Sequence, residues 1–316
     1  MTEYARLKES SEPPRLFRCE VRRVITLQAI CRDALEKDLS LPRHIILWQA
    51  ELLCISPEEL RDKLALSLGV MREAVQAGLD PELRSRSGLS GGDAARVLTS
   101  SGPVFLGRLA QKAMAYAIAV AELNSAMGRI VAAPTAGASG VVPGVLLASA
   151  EEAGFSDEDL VDALAVAGGI GLAISDQSTL AGAEGGCQAE CGSGAAMAAG
   201  ALTYLRTKDA QMLQHAVALA LKNLIGLVCD PVAGLVEIPC IKRNAGSAVI
   251  ALMASDLAVA GVASFIPADE VIQAVSEVGK MMPMQLRETG LGGLANTPTA
   301  RAAAQALRER QFRGFA

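Results

Sequence analysis

Aromatic side chains make up only 3% of this 316-residue chain, with one Trp, three Tyr and six Phe. A core without large rings must be filled by Ala, Val, Leu, Ile and Gly, and half the residues are apolar. Small side chains let helix axes approach closely, so the composition points to packed helices. Convincing alternating strands are absent, as are internal repeats and low-complexity linkers. Histidine is scarcer still, with two residues, His44 and His215, each within an apolar helical stretch. Both read as core or surface histidines, which leaves the chain without an evident general base.

Other shortages exclude whole classes. The formal net charge is −5 and there is no long basic run. Arg15, Arg18, Arg22 and Arg23 cluster near one end, and Arg301, Arg308, Arg310 and Arg313 near the other. No stacking aromatics are interleaved, so solvated helix faces are expected rather than nucleic-acid binding. Met1–Ser10 is charged and no apolar segment follows, so no signal peptide is expected. The longest uncharged stretch, Ile130–Ala150, contains Pro134, Pro143 and three glycines and reads as a loop and helix start. Asp256 interrupts the other apolar run. The expectation is a cytoplasmic protein with no membrane partner. Seven cysteines, an odd number, argue against a disulfide framework.

What is present is largely helical. Pro57-Glu58-Glu59 opens a segment with Leu60, Leu64, Leu68, Met71 and Val75 on one face, stopped at Gly78. Further helices are expected over Leu106–Met127, Leu160–Ile174 (capped by Ser156), Asp209–Val228, Asn244–Phe265, Ala268–Met282 and Thr299–Arg310. The fold class is therefore all-α: a Gly/Ala-rich multi-helix domain with Gly-rich loops. We read residues 1–316 as a single domain, with 1–80 as peripheral N-terminal helices and 81–316 as the core.

Three Gly-rich segments each precede a helix: Gly88–Asp93, Pro134–Gly140 and Gly182–Glu190. Glycine at a helix entry lets backbone N–H groups converge on an anion, although tight turns need glycine too. None ends in the lysine and hydroxyl of a phosphate loop, and none follows a strand as a dinucleotide fold requires. A shared small-anion site is the favoured reading, with Ser90, Gly91 and Gly92, then Thr135, Gly137, Ser139 and Gly140, as candidate substrate donors. Lys242 and Arg243 offer positive charge there, or equally a solvated salt bridge.

The cysteines divide. Cys19, Cys31 and Cys54 lie in mixed-polarity helical sequence and read as packing residues. Cys187 follows a double glycine, Cys229 precedes Asp230-Pro231, and Cys240 follows Pro239. A neighbouring proline fixes the backbone and so the direction of the thiol. The separations are far wider than zinc-finger pairs, and taken alone they leave metal binding and buried thiols as equal alternatives.

The stretches GGCQAE (185–190), CDPVAGLVEIPCIKRNA (229–245), APTAGASGVVPG (133–144), GLSGGDA (88–94) and LRETGLGGLANTPT (286–299) resemble the α subunit of iron–sulfur-dependent L-serine dehydratases, from about Val70 to the C-terminus. The resemblance implies that Cys187, Cys229 and Cys240 hold a [4Fe–4S] cluster with one iron open to substrate, and that Cys191 is a neighbour, not a ligand. It implies a lyase of amino-acid catabolism feeding gluconeogenesis, converting L-serine to pyruvate and ammonia. L-threonine, L-cysteine or a non-catalytic iron–sulfur scaffold are the variants. In the family a β subunit carries a Ser-Ser-His-Thr motif facing the cluster; that motif is missing here. The base is therefore expected on a separately encoded β chain. Some single-chain relatives end in a cysteine that reaches the cluster, whereas this sequence ends Arg313-Gly314-Phe315-Ala316. A pyridoxal-phosphate mechanism is not expected, because Lys112, Lys222 and Lys242 have no Schiff-base context.

Overall fold

A computed structural model describes residues 24–313. Cys19, the Arg15–Arg23 cluster and the last three residues lie outside them. Among the described residues there are thirteen α-helices and no strand, only one isolated parallel bridge between Cys229 and Arg287. The helices are α1 (Leu27–Glu36), α2 (Leu41–Leu53), α3 (Pro57–Gly78), α4 (Asp93–Thr99), α5 (Gly107–Ser125), α6 (Val141–Ala153), α7 (Asp157–Gln177), α8 (Gly182–Gly185), α9 (Ser193–Thr207), α10 (Ala210–Leu224), α11 (Cys240–Val259), α12 (Ala268–Met281) and α13 (Pro298–Arg313).

Helix α9 is the axis of the molecule. Its sequence, SGAAMAAGALTYLRT, is buried from Ser193 to Leu205, and it packs against α6, α7, α10 and α11. Only small residues allow four helices around one. A Cβ on Gly200 would stand 2.5 Å from Ile170 Cδ1 and 2.8 Å from Val217 Cγ2. Helix α5 forms a second hub, lying against α3, α4, α6 and α11. The N-terminal helices join the same core through Leu27, Ile30, Ile45, Leu68, Met71 and Val75. No helix among the described residues is long and apolar enough to cross a membrane. The uncharged run from Ile130 divides into a loop and α6, as its prolines suggest.

Local signals account for most boundaries. Helix α3 spans the expected residues, with Pro57 in its first turn and Ser56 Oγ accepting from Glu59 N. Ser156 and Asp159 form a reciprocal capping box at the start of α7. Three expected boundaries shift by several residues, among them the end of α11, at Val259 rather than Phe265. Helix α10 stops at Leu224 rather than Val228, because Gly226 turns the chain at φ 86°. Helix α11 begins at Cys240, earlier than expected, with Pro239 at its N-cap. Cys240 therefore sits in a first helical turn, where the free N–H groups of a helix lie.

Candidate active site around four cysteines

Helix α8, a π-helical turn and the start of α9 form one continuous path past Cys187 and Cys191. The chain winds as a π-helix over Gln188–Gly192, an insertion that often marks functional positions. Gln188 pins this turn: its side chain is buried, donating to Val275 O at 3.0 Å and accepting from Gly226 N at 2.8 Å. Gly186, at φ 75°, makes the turn into Cys187. Cys187, Cys191 and Cys229 pack together with Ala138.

The remaining segments reach this point through single buried side chains. Cys229 is held between two backbone bonds, its N–H to Leu286 O at 2.8 Å and its carbonyl from Glu288 N at 2.7 Å. This ties the LRETGLGG stretch to the cysteine. Asp230 adds to the tie, with Oδ2 accepting from Leu294 N at 2.7 Å. Its Oδ1 meets Arg243 Nη2 at 2.9 Å, an ion pair without good hydrogen-bond geometry. Asn244, fully buried on α11, donates to Gly137 O at 2.7 Å and Cys240 O at 2.9 Å and accepts from Gly140 N at 3.0 Å. One amide thus joins the Pro134–Gly140 loop to the Cys240 helix.

The Gly88–Asp93 loop is held by two buried carboxylates. Glu237, three residues before Cys240, accepts from Ser87 Oγ at 2.7 Å and Ser90 Oγ at 3.4 Å. Glu122 accepts from the Asp93 and Ala94 N–H groups at the start of α4. Gly91 has φ 135°, and a Cβ there would stand 2.1 Å from Leu83 O, so no other residue fits this turn.

The candidate substrate residues differ in what they leave free. The N–H of Gly140 and both the N–H and hydroxyl of Ser139 are committed within the fold, to Asn244 and to Ala136 O. Ser90 is buried and bonded to Glu237. Thr135 is part-buried and donates to Glu190 Oε1 at 2.8 Å. Lys242 forms an exposed ion pair with Asp93. Arg243 is not a solvated cation: its side chain is 16% exposed, and Nη1 donates to Val228 O at 2.8 Å.

Electrostatics distinguish the thiols. The Cys187 thiol is pulled below its ordinary value, chiefly by a hydrogen bond with Cys191, with help from the Arg243 charge against burial. Cys191 is raised, through the same hydrogen bond and by complete burial. Burial raises Cys229 and pushes Cys240 up to about 12, a rise that Arg243 opposes. The charge of Glu190 acts on all four cysteines, and burial raises the Glu190 carboxyl itself. Cys187, Cys191 and Cys229 share one buried cluster, and Cys240 and Glu190 lie near enough for their charges to act on it. Neither histidine takes part. His44 is buried on α2, with its pKa lowered chiefly by burial, and His215 Nδ1 accepts from Ser264 N at 3.2 Å. Lys112 pairs with Glu151, and Lys222 donates to Ser264 Oγ.

Among the described residues, no three His, Cys, Asp or Glu side chains close on a point as the ligands of a single ion do. An iron–sulfur cluster makes a different demand. Each thiolate binds its own iron, so the sulfurs stand farther apart than ligands of one ion. Buried thiols converging from three separate segments, with an arginine beside them, fit that demand.

An all-α scaffold of small residues that brings distant cysteines and Gly-rich loops together defines the class: an enzyme-like cysteine centre. Residues 7–295 match the family described as serine dehydratase alpha chain, and the chain belongs to that family. The match begins well before Val70, so the N-terminal helices belong to the family pattern as well. The probable L-serine dehydratase alpha chain of Bacillus subtilis is 44% identical over 268 residues, 84% of this chain and 89% of that one. The L-serine dehydratase alpha chain of Peptoniphilus asaccharolyticus is 44% identical over 244 residues, 77% and 84% of the two chains. The L-serine dehydratase of Streptomyces coelicolor is 39% identical over 245 residues, which are 75% of this chain and 53% of that protein.

Proposed function

We propose that this chain is the α subunit of a cytoplasmic enzyme that dehydrates L-serine to pyruvate and ammonia, with Cys187, Cys229 and Cys240 holding a [4Fe–4S] cluster. The observation that supports the reading is the burial of all three thiols, with Cys187 and Cys229 packed in one cluster, in a chain of the serine dehydratase alpha family. When bound, a cluster with three thiolate ligands supplies one open iron as a Lewis acid able to polarise the β-hydroxyl as it leaves.

The chain's own residues supply the surroundings. Burial of the thiols keeps water from them, with Cys187, Cys229 and Cys240 only 2%, 3% and 6% exposed. Arg243 lies against Cys187 and Cys240 and offsets the charge that thiolates would bring. Cys191 is fully buried beside Cys187 and is read as a neighbour without a metal bond. Asn244 fixes the Pro134–Gly140 loop, which this reading places beside the substrate. Elimination takes the α-proton and releases the hydroxyl as water; the resulting aminoacrylate tautomerises and hydrolyses to pyruvate and ammonia.

Neither histidine of this chain lies beside the cysteines, and this reading assigns removal of the α-proton to a residue of a β chain. The Streptomyces relative supports this division, since the aligned residues make up only 53% of that protein. The test is pyruvate formation by the anaerobically co-expressed α–β pair, assayed with L-serine, L-threonine and L-cysteine. Turnover by the pair but not by the α chain alone supports the proposal. Full turnover by the isolated chain would contradict the shared site. A pair that binds iron yet turns over none of the three would make it a scaffold.

A further inference from the structure

Many arginines of this chain are matched to a carboxylate, as Arg61 is to Asp162, Arg72 to Asp157 and Arg206 to Asp256. Arg86, Arg308 and Arg310 are not: among the described residues, none of these three guanidinium groups has an ion pair or a hydrogen bond. All three line one cavity of about 520 Å3. It lies between the last turns of α13, the chain just before the Gly88–Asp93 loop, and the segment that joins Cys229 to Cys240. No carboxylate lines it. Glu309, which sits between two of the arginines in sequence, accepts from Gln305 Nε2 at 3.0 Å instead. Ser87 is the other polar residue of the wall, and its hydroxyl is committed to Glu237 Oε2 at 2.7 Å. The remainder is apolar: Ala233, Leu235, Ala304 and Leu307. Three like charges around one space repel each other, and an anion among them turns that repulsion into attraction.

The backbone of the same wall is strained. Ala233 has φ 55° and ψ 17°, the left-handed region that a β-carbon disfavours. Strained non-glycine backbone gathers at ligand sites, where the surrounding structure holds it in place. The ligand class follows from the charges and the wall. Guanidinium forks match the oxygens of carboxylates and phosphates. Three of them call for more than one negative charge, and the apolar patches suit a carbon skeleton rather than a bare ion. The volume falls within the roughly 300–1,000 Å3 of small-molecule sites. We propose that this cavity binds a small organic polyanion, a polycarboxylate or a phosphate ester, through Arg86, Arg308 and Arg310. Bound there, the ligand bridges α13 to the segment between Cys229 and Cys240. The assignment does not rest on the dehydratase reading.

Calorimetric titration of the full-length chain, prepared anaerobically at low salt, tests the site with citrate and with glycerol 3-phosphate. Saturable binding at one site is expected, and the tighter of the two probes distinguishes a polycarboxylate site from a phosphate-ester site. Acetate, with a single charge, is expected to bind at least about tenfold more weakly. Arg86→Gln, Arg308→Gln and Arg310→Gln are each expected to weaken binding roughly 10-fold, the low end for a charge-assisted hydrogen bond because the site is open to solvent. Arg301→Gln is the control, an exposed arginine of the same helix that does not line the cavity. Affinity within about twofold of wild type is expected there, as for a surface change. The three cavity arginines are exposed as well, so none of these variants threatens the fold. An equal loss in Arg301→Gln would mean general attraction of anions to a basic helix and overturns the assignment. So does acetate binding as tightly as the polyanions, or no saturable heat from either probe. If neither probe binds and the three substitutions instead weaken assembly with the β chain, the face is a protein-docking surface and the small-molecule site is refuted.

Discussion

Replacing Asn244 by alanine removes the one side chain that joins the Pro134–Gly140 loop to the Cys240 helix. Two backbone groups lose their partners in a fully buried place: the Gly140 N–H and the Gly137 carbonyl. The Cys240 carbonyl keeps its helical bond and loses only the extra one. A buried backbone group left unpaired costs about 1–3 kcal/mol. Alanine regains about 0.5 kcal/mol in helix propensity, far too little to offset two such losses. Asn244→Ala is therefore expected to lower stability by about 2–5 kcal/mol, read from urea unfolding followed by far-ultraviolet circular dichroism. Asn244→Asp is expected to fare no better, since it sets an oxygen against the Gly137 and Cys240 carbonyls. The change also frees the loop that positions Thr135, so substrate affinity of the α–β pair falls as well. Stability within about 0.5 kcal/mol of wild type, the ordinary range for a surface change, would refute the claim that this amide holds the loop in place.

Other expectations concern the thiols and the surface. Cys187→Ala, Cys229→Ala and Cys240→Ala should each lose bound iron and brown colour, whereas the exposed Cys54→Ala should retain both. Cys191→Ala should retain iron; its loss there would make Cys191 a fourth ligand and close the open position. The Asp157 carboxyl is held below its usual value chiefly by the hydrogen bond from Arg72. A depressed carboxylate stabilises above its ordinary pKa and loses that contribution as pH falls through the folded value. The pair is exposed, so Arg72→Met should cost less than about 1 kcal/mol at neutral pH. That difference should vanish in acid; a cost that persists there would mean that Arg72 acts through packing.

Much of the fold could be read before any coordinates, because helix signals are local. Pro57, Ser56 and Gly78 bound α3, and Ser156 caps α7, each through contacts within four residues. Cys187, Cys229 and Cys240 could be singled out for a similar reason, since a glycine or proline lies within two residues of each. Their partners could not. Glu190, Asn244, Glu237 and Glu122 look like ordinary polar residues in or beside helices. Their roles come from contacts 28 to 150 residues away in the chain. The π-helical turn at Gln188–Gly192 has no sequence signature of its own, and it is what places Glu190 beside the cysteines. Arg243 was equally plausible as a solvated cation, because burial depends on what α11 packs against rather than on neighbouring residues. Ser139 and Gly140 look like anion donors by composition, yet their hydrogen bonds turn inward to shape the loop.

The central claim is that three cysteines leave one iron open to substrate. Mössbauer spectroscopy of the α–β pair, reconstituted anaerobically with iron-57, tests it directly. One iron of the four is expected to change its signal when L-serine is added while the other three stay fixed. The same response is expected after Cys191→Ala. A spectrum unaltered by L-serine at saturating concentration, with all four irons equivalent to thiolate-bound sites, would contradict the open position.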